Sequence, residues 1–229
     1  MDGLPDSCPS SARSVDVAAT ARDNTLDGLS LLATSTEEKT LLKRIYNQNP
    51  ITRTIVVWCL FMAIQWTVFL IGFLTHRSAW VNVEVLTPDT GVSSSLFIIA
   101  NNLVVVVLIV VGNLFARFGS LSIGGLVLLV QGVAIGWTAG TNGFQYPFAT
   151  VAEANLNYLK IGLWEVSAYA IICAVTMTKS LNISETFPPK KWSVTRKLSD
   201  LVWDGQEKAL LFVGLAFLII AGFVEGFFI

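Results

Sequence analysis

The chain has 229 residues, of which 53% are hydrophobic and 14% charged, and its formal net charge is −1. A soluble domain carries about 25% charged residues, so this composition excludes an ordinary soluble domain, and the near-neutral balance excludes a basic field for nucleic acid. A single histidine, His76, and three scattered cysteines, Cys8, Cys59 and Cys173, remove most metal-site and triad readings and any disulfide framework.

Residues 1–34 are rich in Ser, Ala, Asp and Thr and read as a flexible tail. No basic stretch leads into an apolar one there, so no cleaved signal peptide is expected. Ser35-Thr-Glu-Glu38 is a capping box that opens a surface helix over 35–49. Leu41, Leu42 and Ile45 share its apolar face, and Asn49-Pro50 ends it. Five apolar runs follow, at about 54–74, 95–115, 118–140, 159–178 and 209–229. Each is roughly 20 residues, the length that crosses a hydrocarbon core of about 30 Å. In lipid the choice lies between helix and closed barrel, and long continuous runs select helix. The expected fold is an all-α polytopic membrane bundle of about five transmembrane helices with short interfacial helices.

The basic residues alternate between loops. Arg13, Arg22, Lys39, Lys43, Arg44 and Arg53 precede the first run, and Lys179, Lys190, Lys191, Arg196 and Lys197 follow the fourth. The loop after the first run holds only Arg77, the tight turn at Ala116-Arg117 only Arg117, and residues 141–158 no arginine. This asymmetry predicts a cytoplasmic N-terminus and a C-terminus on the outer face of the membrane. In the fourth loop, Val194, Leu198, Leu201 and Val202 recur at helical spacing between Trp192 and Trp203, which predicts an amphipathic helix at the inner interface. Thr150 and Glu153 make a second capping box on the outer side.

The residues that invite a functional reading are the polar ones inside the spans. Counting 1.5 Å per residue puts Asn101 and Asn102 about 10 Å below the outer boundary, Gln131 about 14 Å, Glu165 about 9 Å and Glu225 about 6 Å. Ionisable groups at such depth cost free energy and mark functional sites, although amides and carboxyls also hydrogen-bond between helices simply to fix the bundle. Small residues run beside them. Gly125, Gly132, Gly136 and Gly140 lie near one side of the third span, and Gly214 and Gly222 lie on that of the fifth. Such stripes let helix backbones approach closely.

Four short pieces, in order, resemble the stage II sporulation protein M family. They are Ile99-Ala-Asn-Asn102, Leu128-Leu-Val-Gln-Gly-Val-Ala-Ile-Gly136, Gly162-Leu-Trp-Glu165 and Ile220-Ala-Gly-Phe-Val-Glu225. The third piece has Lys160 and Ile161 where that family carries Pro and His. The resemblance implies a multi-span prokaryotic membrane protein, in the sporulating members a scaffold that localises partners. The expected function is therefore a non-enzymatic scaffold or assembly subunit, with membrane lipids, other membrane proteins or a second copy as partners. Two alternatives stand beside it: a channel or transporter that uses the carboxylates, and a pigment- or lipid-binding subunit. The sequence assigns no cofactor.

Overall fold

The computed structural model describes residues 44–81, 83–84, 90–186 and 188–228. The expected tail over 1–34 and the capping box at 35–38 lie outside the described residues. Five helical segments are long and apolar enough to cross a membrane.

Helix α1 spans Pro50–Thr75. Asn49 caps it, its side-chain oxygen accepting from the Thr52 amide at 2.8 Å, and Pro50 occupies the first turn, where a missing N–H costs nothing. Helix α2, Val92–Phe115, begins after Gly91, whose φ of 139° suits glycine. Where the sequence suggested a two-residue turn, the chain forms strand β1, Ala116–Phe118, and strand β2, Leu121–Ser122, joined through Gly119 at φ 55°. Helix α3 therefore runs over Ile123–Gly140, capped by the Ser122 hydroxyl, and starts later than expected. The fourth membrane-length segment is continuous over Val151–Lys179. It comprises α4 (Val151–Asn157), a π-helical turn (Tyr158–Gly162), α5 (Leu163–Thr176) and a closing 3₁₀ turn. Thr150 accepts from the Glu153 amide at its start. Helix α6 spans Gly205–Phe228.

The predicted amphipathic helix at 192–203 is not formed. Strand β3, Asn182–Ser184, pairs in parallel with β1, and strand β4, Ser193–Val194, pairs antiparallel with β3. The sheet order is β2-β1-β3-β4. Thr195 is held to Leu181 by both its amide (2.8 Å) and its hydroxyl (3.0 Å). These ladder bonds outweigh a weak helical periodicity, and only a 3₁₀ turn at Leu198–Asp200 remains helical.

Helix α5 is the centre of the bundle and touches α1, α2, α3 and α6. Its segment is 67% buried over the apolar window, against 22–28% for the other four. Ala168, Ala170 and Ala174 are fully buried, small enough to admit neighbours on every side. Around it, α1 packs on α3 through glycine. A Cβ at Gly132 would press on the Phe61 ring, one at Gly136 would overlap the Gln65 carbonyl, and one at Gly140 the Phe69 carbonyl. On α6, Gly214 faces Ile172 and Gly222 faces Ile99. Gly125 does not join a helix contact: it sits over its own cap, Ser122. Outward-facing Leu60, Leu70, Val104, Val107, Phe212 and Ile220 remain exposed, an apolar belt.

Candidate functional site

At the end of the bundle where α4 meets the π turn there is a cavity of about 280 Å³. Each wall has a local cause. The Tyr158–Gly162 turn makes i→i+5 bonds, which add a residue to the helix and turn Tyr158, Ile161, Gly162 and Glu165 toward the opening. Gly162 is needed there, because a Cβ would lie 2.7 Å from the Tyr158 ring. Helix α1 contributes Gln65, Trp66 and Phe69. The loop after α3 contributes Phe144 and Phe148. It is pinned by Asn142, which adopts φ 52°, donates to the Ala79 and Phe148 carbonyls at 3.2 and 3.0 Å, and accepts from the Phe148 amide at 3.0 Å. Helix α6 contributes Glu225.

The two carboxyl groups face this space from α5 and α6. Glu165 Oε1 accepts from the Tyr169 hydroxyl at 2.7 Å, one helical turn away, and Tyr169 is fully buried. Asn102 on α2 lies against the Glu165 carboxyl, but its buried Nδ2 makes no hydrogen bond of ordinary geometry. Gln65, only 4% exposed, receives a long bond of 3.5 Å from the Tyr158 hydroxyl, which also points at Met62 Sδ at 3.2 Å. Among the described residues, no lysine, arginine or histidine lines the cavity.

The sequence-predicted polar residues thus divide. Glu165, Glu225 and Asn102 come together. Asn101 is exposed, turned away from Asn102 because neighbouring helical residues point about 100° apart. Gln131 is half-buried on α3 and does not line the cavity. The amide from the other side is Gln65, a single polar residue in an apolar run, which is the signal that could have found it.

A second polar centre, at the opposite end, escaped sequence reasoning entirely. Glu207 on α6 is buried between Lys179 Nζ at 2.6 Å and Arg53 at 3.7 Å. Arg53 Nε also donates to the Ala174 carbonyl at 2.6 Å, and Lys179 to the Val202 carbonyl at 2.9 Å. Asp204 and Glu207 exchange backbone-to-carboxylate bonds of 3.1 and 2.7 Å. Each of these charges, read singly, looks like an ordinary loop residue. Nearby, Asn113 bridges α2 to α5, donating to Thr176 Oγ1 at 2.7 Å and to the Cys173 carbonyl at 3.2 Å. Arg117 stacks 4.4 Å over the Tyr46 ring. Burial pushes the Tyr46 hydroxyl up to about 12, against the opposing pull of that guanidinium.

Neither family models nor curated proteins nor solved structures match this chain.

Proposed function

We propose that the chain is an integral membrane protein that takes a small solute into the cavity beside Glu165 and Glu225, as the binding site of a channel or carrier. The observation that carries this reading is the cavity itself: an acidic hollow inside an otherwise apolar bundle. Intramembrane carboxyl groups are expensive and mark solute paths. A π turn is a further mark of a functional site, since it sacrifices regular helix geometry to shape a local opening. The apolar belt supports insertion in a bilayer.

Thermal unfolding of the detergent-solubilised chain with a panel of neutral, anionic and cationic solutes tests the reading. At a hundredfold excess over Kd, a ligand should raise Tm by about 4 °C or more. Ala139→Trp, which fills the cavity, should abolish that rise. A panel without effect on the parent, or with equal effect on the filled variant, defeats the proposal.

A second reading, the membrane scaffold implied by the resemblance to the stage II sporulation protein M family, is favoured by one feature. Trp192, Val194, Leu198 and Val202 are exposed beside Lys190, Lys191 and Lys197 on the β4 segment. A partner held there should co-purify with the full chain in mild detergent and be lost on Trp192→Ser/Val194→Ser.

A further inference from the structure

The lining of the cavity combines two chemistries, and the combination selects a ligand. It holds the carboxyl groups of Glu165 and Glu225 and, among the described residues, no lysine, arginine or histidine. It also holds the rings of Trp66, Phe69, Tyr158, Phe144 and Phe148. Trp66 and Tyr158 meet edge to face at 81° with centroids 5.7 Å apart, and Phe144 meets Phe148 at 79° and 5.1 Å. A cation within about 6 Å of aromatic ring faces is attracted by their quadrupoles. We infer that this cavity, lined by both carboxyl groups and aromatic rings, binds a small organic cation, an amine or quaternary ammonium. The inference rests on the solute-binding reading above and adds the class of solute.

The same residues argue against other occupants. A hard metal ion takes six or more oxygen ligands, and the described residues contain no group of three or more His, Cys, Asp or Glu side chains able to hold one. An anion would face two carboxyls and, among the described residues of the lining, no basic partner. A long acyl chain has no use for Gln65 or for the Tyr158 hydroxyl, whose bond to each other is only 3.5 Å. Size points the same way. A volume of about 280 Å³ is the liquid volume of roughly nine waters and falls at the small end of ligand pockets.

The test is equilibrium dialysis with the full chain in a maltoside detergent free of choline lipids. The probes are tetramethylammonium, choline and the neutral isostere of choline in which carbon replaces the quaternary nitrogen. The parent should bind a cation about tenfold or more tighter than the isostere. Glu225→Gln and Glu165→Gln should each weaken cation binding by about tenfold while leaving the isostere unchanged. Equal binding of cation and isostere overturns the inference and leaves the solute-binding reading standing. Binding of neither probe also overturns it; the solute panel then decides the broader reading, because that panel includes neutral and anionic compounds. Cation binding that persists in the cavity-filled Ala139→Trp variant places the ligand elsewhere and overturns it as well.

Discussion

The two ends of the bundle handle buried charge in opposite ways. At one, Glu207 meets Lys179 and Arg53, and the backbone carbonyls of Ala174, Gln48 and Val202 accept from the two basic side chains. Acid and base neutralise one another, and the cluster ties α1, the end of α5 and α6 together. At the other, Glu165 and Glu225 face a hollow lined by aromatic rings and, among the described residues, by no base. A buried pair that satisfies itself is architecture. A buried pair of like groups beside a hollow finds no charge complement among the described residues that line it, which is why the second end draws the functional reading.

The contrast is broken most severely at the neutralised end. Glu207→Leu strips a buried anion from Arg53 and Lys179, and losing one partner of a buried pair costs about 3–5 kcal/mol. Thermal unfolding in detergent reads this loss. Replacing Arg53, Lys179 and Glu207 together with apolar residues should recover most of it, because no uncompensated charge is left. If the triple replacement is as unstable as the single one, the network does more than balance its own charges.

Glu165 should behave differently. Glu165→Gln keeps an acceptor for Tyr169 and should shift stability by under about 1 kcal/mol, while removing the charge a cation would need. Glu165→Leu strands the fully buried Tyr169 hydroxyl and should cost about 1–3 kcal/mol. Unfolding curves for the two variants separate shape from charge; equal losses in both would put Glu165 in the same structural class as Glu207.

Gly162→Ala acts on the hollow alone. The added methyl meets the Tyr158 ring and should cost about 1 kcal/mol or more unless the ring moves. A moved ring opens the aromatic corner, so ligand affinity should fall even where the melting temperature holds. Unchanged affinity would remove Tyr158 from the site.

The smallest effect concerns Tyr46. Its hydroxyl titrates near 12 in the folded chain and near 10 in an unfolded one. The stability this gives is therefore whole below pH 10 and is lost as pH rises from about 10 to 12. Tyr46→Phe should flatten that alkaline decline, and a parallel decline in parent and variant would show that another group governs it.

The spans were legible in the sequence because hydropathy is a local property: each run declares itself without reference to any other. The sheet was not, since β1 is drawn out of the apolar stretch by a parallel partner, β3, far along the chain. Asn101 and Asn102 show the limit at the site. Depth along a helix can be counted from its end, and both residues have nearly the same depth. Which of two neighbours faces inward depends on packing. Arg53, Lys179 and Glu207 show the same limit in another form. Each stands near the end of a different span, where charge is usual, and only tertiary structure shows that they meet.

The central position of α5 has a consequence for how the molecule is made. The membrane-length segment that the other four lean on is the fourth of them to leave the ribosome. At synthesis rates of 5–20 residues per second, about 2–7 s separate completion of α3 from completion of α5. During that interval the glycine seam between α1 and α3 can already close, before the side chains of Tyr169 and Ala170 are available to pack. The arriving segment becomes fully enclosed only when α6 follows. Biogenesis of this bundle therefore runs from rim to centre, and its most exposed intermediate is the chain that has made three helices and waits for the one they surround.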